Sequence, residues 1–330
     1  MRIRKKNFFY SFSVIAAILV SGELFAKFYL GLGTPPLYAS HPKVEYLLQP
    51  DQKLRRFGNH IIINEYGMRS PTFERHKQAN ELRVMVFGDS VINGGSLTDH
   101  KDLATSRLQT SLSSVVADKE VVVGNISAGS WGPGNLLAYA QTYGFFDADV
   151  IVLVISSHDY ADTPTFKPLD ENVHPTKRPV SALWEGISRY LIRYVAKSFT
   201  PDIAAREISN TDRNGSFAAT YTNKKATEPL EDLKQFLQLA KNHSNYLLVV
   251  QHWEKGEIVR DVPRKGNLLI SEVVSQLGVE TVSLKTTFEA AVRYGKDPYR
   301  DYIHPNLVGQ ELIGQVLSNK ISAELNLVGQ

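Results

Sequence analysis

The sequence predicts an α/β protein: a three-layer domain on a mainly parallel sheet, preceded by one apolar segment of membrane length. Three observations carry that expectation. Five short β-branched runs between residues 82 and 284 are almost continuously apolar, helical stretches alternate with them, and the first 30 residues set a basic cluster before an apolar run. Strands that are apolar throughout are buried on both faces, as in parallel sheets covered by helices. Alternating strand and helix implies right-handed crossovers and a layered domain.

In chain order, Arg2, Arg4, Lys5 and Lys6 precede an apolar run from Phe8 to Ala26, interrupted late by Glu23. Roughly twenty apolar residues cross a bilayer, and flanking cations are retained in the cytoplasm. Residues 1–30 are therefore expected to be a cytoplasmic tip and a single-pass anchor in a bacterial inner membrane, with everything after them periplasmic. A cleaved signal peptide is the rival. Its apolar region is usually shorter and ends in a small-x-small site, of which Val20-Ser21-Gly22 is a poor version. Residues 31–81 hold Pro35, Pro36, Pro50 and Pro71 around the alternating stretch "HIIINEYGMRS", which reads as a juxtamembrane arm with one or two short strands.

Residues 82–330 form the main domain. Its expected strands are "LRVMVFG", "EVVVGNIS", "DVIVLVIS", "NYLLVVQ" and "VETVSL", and its helices lie near 102–116, 134–145, 227–242, 265–277 and 305–325. The stretch 160–223 has no clear core strand and is too long for an idle connection, so it is expected to be a cap. Within it, "SALWEGISRYLIRYVAKS" is amphipathic. Leu183, Trp184, Ile187, Leu191, Tyr194 and Val195 share one side, and Arg189, Arg193 and Lys197 the other. The expected arrangement packs the apolar side on the domain and leaves the basic side in solvent. Contact with substrate or an anionic membrane is the alternative.

Composition removes several chemistries. The absence of cysteine among 330 residues excludes disulfides, thiolate catalysis and cysteine-ligated zinc. The formal charge is +3, less than the four cations of the N-terminal cluster, so no nucleic-acid-binding face is expected. The phosphate-loop, His-Glu-x-x-His and dinucleotide-binding patterns are missing, so no cofactor and no metal are expected.

In open α/β sheets ligands bind beyond the carboxyl ends of the strands. That rule selects Gly88-Asp89-Ser90 after the first strand, Asn125 to Gly132 after the second, Ser156-Ser157-His158-Asp159 after the third and Gln251-His252 after the fourth. A serine opening a helix has its amide in the N-terminal field of that helix, suited to an oxyanion. Such a serine needs a base. "DYIHPN" supplies one, with Asp301 three residues before His304 to orient its ring and Pro305 placed to start a helix. Ser130 in "AGSWG" is a rival nucleophile, short of the Gly-x-Ser-x-Gly elbow by Ala128, and its neighbour Trp131 reads as packing or as a substrate platform.

Taken together, in order and on these elements, the motifs resemble the SGNH hydrolase superfamily, the GDSL esterases and lipases. Gly88-Asp89-Ser90 matches its first block, Gly129 in "NISAGSWGPGN" its second, and Asp301 with His304 its fifth, over about residues 82–325. The resemblance implies a flavodoxin-like five-stranded sheet, a metal-independent mechanism with Ser90, His304 and Asp301 as triad, and Ser90, Gly129 and the third block around the oxyanion. That block departs from the family's Gly-x-Asn-Asp, because His158 stands at the asparagine position with Asp159 after it. A ring N–H can donate in its place. The alternative is a structural histidine bonded to the cap. Asp89 and Asp159 are expected in supporting roles beside the triad.

These readings imply an extracytoplasmic serine esterase or O-acyltransferase acting on acyl, chiefly acetyl, esters of a carbohydrate. The anchor and arm resemble SGNH-like accessory proteins of bacterial exopolysaccharide synthesis, including cellulose systems, which implies a polysaccharide, the inner membrane, and a membrane acyltransferase or polysaccharide synthase as partners. A non-catalytic carbohydrate-binding or scaffold protein in a synthase complex is the alternative.

Overall fold

A computed structural model describes residues 2–116, 118–192 and 223–325. The N-terminal run forms helix α1 (Arg2–Leu24), which passes directly into a π-helical turn, Phe25–Tyr29. Within it, Tyr10–Tyr29 is long and apolar enough to cross a membrane, with a mean hydropathy of 1.6. The arm holds four strands where the sequence predicts one or two. β1 (Tyr38–His41) pairs with β2 (Glu45–Leu48), and β3 (Gln52–Arg56) with β4 (Asn59–Ile63), each pair antiparallel. The first three are too short and polar for a period of two to stand out. "NEYGMR" is a turn in which Asn64 Oδ1 accepts from the amides of Tyr66 and Met68.

The domain then runs β5 (Glu81–Gly88), α2 (Ser90–Asn93), α3 (Ala104–Val115), β6 (Glu120–Ser127), α4 (Pro133–Tyr143) and β7 (Val150–Ser156). After the cap, which includes α5 (Ala182–Glu185), come α6 (Asn223–Lys241), β8 (Tyr246–His252), α7 (Lys255–Arg260), α8 (Lys265–Gln276), β9 (Glu280–Ser283), α9 (Lys285–Arg293) and α10 (Leu307–Glu324). All five expected strands and five expected helices are present, with ends shifted by a few residues. Helices α2, α7 and α9 are additional. The first two are shorter than two turns, too short for a helical period to stand out, whereas α9 is amphipathic over nine residues and buries Phe288 and Ala291.

The five domain strands pair in parallel in the order β6-β5-β7-β8-β9, the flavodoxin-like arrangement that the resemblance implies. Along β5, Val84 and Val86 pack with Leu108, Leu112, Ile313 and Leu317, while Met85 and Phe87 pack with Tyr139, Phe236 and Ile270. Alternate side chains thus feed two cores, giving three layers. Each such side chain contributes about 1.5–3 kcal/mol through burial. The strand order reverses direction between β5 and β7, so the crevice beyond their carboxyl ends is where a ligand fits.

The described part of the cap ends at Ile192, so Arg193, Tyr194, Val195 and Lys197 lie outside the described residues. From α5 the chain continues as a π-helical turn, Gly186–Leu191. The expected apolar side is split, with Leu183 and Ile187 half-buried and the other two described residues outward. Trp184 is 61% exposed and Leu191 54% exposed, whereas Arg189 bonds Glu185 and the Glu171 carbonyl. The cause is Glu185, which is buried against Arg56 at 2.6 Å and turns the polar side inward.

Candidate active site

At the end of β5, a Cβ on Gly88 would lie 3.0 Å from the Val154 carbonyl and 3.3 Å from Ile92, so glycine permits the turn into α2 at this close approach. Asp89 caps α2, its Oδ1 accepting from the Val91 amide at 2.9 Å. Gly94, at φ +70°, ends the helix after one turn. Ser90 is left half-buried at the sheet edge.

The 299–306 loop brings the other side of the site. His304 Nε2 lies 2.9 Å from Ser90 Oγ, and His304 Nδ1 lies 2.8 Å from Asp301 Oδ2. Asp301 Oδ1 also accepts from the amides of Ile303 and His304 at 2.9 and 2.8 Å. Partial burial alone would raise the Asp301 pKa; the two amides and the His304 ring outweigh it and hold the carboxyl below its ordinary value. Ser90, His304 and Asp301 are therefore brought together, with the serine proton directed at one ring nitrogen and the carboxylate at the other. Pro305 does not start the helix; Asn306 caps it, accepting from Val308 and Gly309 at 2.9 and 3.1 Å.

Two residues hold the histidine loop to the serine: Gln310, not anticipated from sequence, and His252, which the sequence places at the end of the fourth strand without a role. Gln310, fully buried, donates to the Val91 carbonyl and accepts from the Ala104 amide, both at 2.8 Å, joining α10 to α2 and α3. Its position on the buried face of α10, beside Ile313 and Leu317, is the signal that marks it. His252 donates through Nε2 to the Ile303 carbonyl at 2.7 Å. Burial lowers its pKa to about 4, so it is neutral and acts as a tether.

His158 follows neither arrangement expected for it. Its Nε2 lies 3.1 Å from Asp89 Oδ2 and its Nδ1 3.2 Å from Glu254 Oε1. Both ring nitrogens are thus taken by carboxylates, leaving no N–H for an acyl oxygen, and neither partner belongs to the cap. Arg264 pairs with Glu254 from the far side. Burial by itself would lower the His158 pKa; the charges of Asp159 and Asp89, with the bonds to Asp89 and Glu254, push it up to about 12. Burial would raise Asp89, and the His158 bond and charge outweigh it, holding Asp89 below its ordinary value. Asp159 Oδ2 accepts from the Ser156 amide at 2.6 Å. Donor atoms of Asp89, His158 and Asp159 lie within 4.8 Å of one another, close enough to hold a metal ion, although both ring nitrogens are already hydrogen-bonded.

A raised pKa makes the His158 pairing a pH-dependent source of stability. The contribution is complete below the unfolded value of about 6.5 and is lost as pH rises towards the folded value, because the folded state then holds a proton the unfolded state has released. The melting temperature is therefore expected to fall between about pH 7 and pH 10, with a shallower fall in His158→Gln. Parallel slopes in thermal melts of the two proteins would refute this.

The remaining candidates separate. Gly129 is half-buried, the Tyr46 hydroxyl donates to its carbonyl, and a Cβ there would meet open space. The amides of Ser90 and Gly129 have no acceptor among the described residues. Ser130 is exposed at φ +60°, and no base bonds its hydroxyl among the described residues. Trp131 is 2% exposed and donates to the Tyr46 carbonyl at 3.2 Å, which makes it a packing residue.

No protein-family model matches the chain, and no curated protein matches it. Among solved structures it is similar to an alpha/beta hydrolase enzyme from the metagenome of Lake Arreo, at 14% identity and TM-score 0.45, over 78% of this chain and 99% of that one. An acetylxylan esterase of Geobacillus stearothermophilus, as a catalytic mutant, matches at 12% identity and TM-score 0.44, over 78% of this chain and 97% of that one. A member of the lipolytic protein G-D-S-L family from Veillonella parvula matches at 12% identity and TM-score 0.42, over 73% and 98%.

Proposed function

We propose that this chain is a membrane-anchored serine esterase or O-acyltransferase acting on acyl esters, chiefly acetyl, of an extracytoplasmic polysaccharide. The observation that carries the reading is the continuous contact from Asp301 through His304 to Ser90, at 2.8 and 2.9 Å, beside the point where the strand order reverses. His304 Nε2 takes the Ser90 proton as Oγ bonds to the acyl carbon, and Asp301 holds the ring in the required tautomer. The carbonyl oxygen gains charge opposite the Ser90 and Gly129 amides. The proton then passes from His304 to the departing sugar oxygen, leaving the acyl group on Ser90. Water or a second sugar hydroxyl, deprotonated by His304, takes the acyl group and restores the serine.

A polar ligand suits the adjoining surface. A cavity of about 340 Å³ between arm and cap is lined by Glu45, Tyr46, Ser130, Asp162, Lys167 and Asp170, next to Gly129. Hydroxyl-rich substrates match such a lining better than a lipid chain does.

Incubation with an activated acetyl ester is expected to leave an acetyl adduct on the Ser90 peptide, read by mass spectrometry. An adduct on Ser130, or none, would sink the assignment. For the topology, a reporter active only in the periplasm is expected to work when fused after residue 330. Activity of a cytoplasm-only reporter at the same point would reverse the orientation.

A further inference from the structure

The outer end of the anchor is not alone. Glu23, the one charge in the apolar run before Lys27, accepts from Ser181 Oγ at 2.7 Å and from the amides of Ala182 and Leu183 at 2.8 and 2.9 Å. It therefore caps the first turn of α5 from another element, satisfying amides that a helix start leaves open. A Cβ on Gly22 would lie 3.4 Å from Leu183, so anchor and cap also touch through apolar atoms. On the next turn Glu185 takes Arg56 and the Gly33 amide, both at 2.6 Å. The segment from Ser181 is thus fixed to anchor and arm through its polar side.

That fixation leaves its apolar side outward. Val180, Trp184, Leu191 and Ile192 are exposed, beside an anchor whose Phe25, Phe28 and Tyr29 are exposed too. Helices of soluble domains bury the apolar side and wet the polar one. A helical segment with these four apolar side chains outward, adjoining a membrane-length apolar rod, matches an interfacial element, whose apolar face sits at the headgroup boundary where tryptophan is favoured. Lys177 and Arg178, both exposed immediately before it, suit anionic headgroups.

We propose that residues 180–192 lie in the outer interface of the phospholipid bilayer, as a second membrane contact that sets the orientation of the cap over the membrane. The proposal rests on the reading of Tyr10–Tyr29 as a membrane span. A second protein on this face is the competing occupant. Continuity with the apolar surface of the anchor favours lipid.

Tryptophan emission provides the test, because Trp131 and Trp253 are 2% and 9% exposed and Trp184 alone is open. The full chain is reconstituted in phosphatidylcholine vesicles containing phosphatidylglycerol, with lipids brominated near the headgroup or near the chain end. Most of the Trp184 emission is expected to be lost with the shallow bromines and less with the deep ones, and Trp184→Phe is expected to remove that difference. Protein that floats with the vesicles, yet is quenched by aqueous iodide and not by bromolipid, would overturn the proposal. Protein that fails to float would overturn the anchor and the proposal together. Hydrolysis of an aryl acetate, measured on the same samples, reports the esterase reading separately.

Discussion

Ser90→Ala is expected to lower turnover of an aryl acetate by about a million-fold, with the fold unchanged. The size follows from what is lost. Ser90 Oγ is the hydroxyl at 2.9 Å from His304 Nε2, and in the proposed mechanism the acyl-enzyme cannot form without it. Residual rate would come from the Ser90 and Gly129 amides and from general-base attack by water, which is why the loss stops short of complete. The backbone should not notice, because the side chain of Ser90 caps nothing: Asp89 caps α2. Ser130→Ala provides the internal control. Its hydroxyl has no base beside it among the described residues, so at least half of the activity should remain. Loss of activity in Ser130→Ala together with retention in Ser90→Ala would transfer the nucleophile to the loop after β6 and end the present account.

The parts of this site that were legible in the sequence are those encoded locally. Gly88-Asp89-Ser90 is adjacent to an apolar strand, and Asp301 stands one turn before His304, so spacing alone suggested the geometry later found. The supporting residues were hidden for a physical reason. Glu254 is one of 34 acidic residues, and nothing local states that it is 1% exposed beneath His158. Burial of a charge is decided by what packs over it, here Arg264 and the 157–161 turn. Gln310 and Glu23 are intermediate cases. Each interrupts an otherwise apolar pattern, and a polar residue on an apolar face requires a partner. The sequence marked the two positions without naming the partners, because Val91 lies 219 residues away and Ser181 lies 158 away. The orientation of the cap helix is hidden for the same cause: its amphipathic pattern is local, but the side that faces protein is set by Arg56, which is distant in sequence.

The second large effect concerns His158, where resemblance and structure predict opposite outcomes. If the ring served the acyl oxygen, His158→Asn would restore the family's donor and keep or raise activity. The structure places the ring instead between Asp89 at 3.1 Å and Glu254 at 3.2 Å. Asparagine is shorter, carries no charge and can bridge at most one of them, so buried Asp89 loses its counter-charge and Glu254 is left with Arg264 alone. Removing one partner from a buried charged network typically costs about 3–5 kcal/mol. Asp89 Oδ2 also lies 3.4 Å from Ser90 Oγ, so an uncompensated charge there opposes the oxyanion forming beside it. His158→Asn and His158→Ala are therefore both expected to melt earlier and to lose turnover on the order of a hundredfold. Adding Glu254→Gln to His158→Asn should recover part of the lost stability, because it removes a buried carboxylate that only the half-exposed Arg264 then offsets, whereas Glu254→Gln alone should destabilise. That sign reversal is the measurement that separates the readings. Should His158→Asn melt normally and turn over faster than the parent, the ring is an oxyanion donor and the charge network is not what holds it.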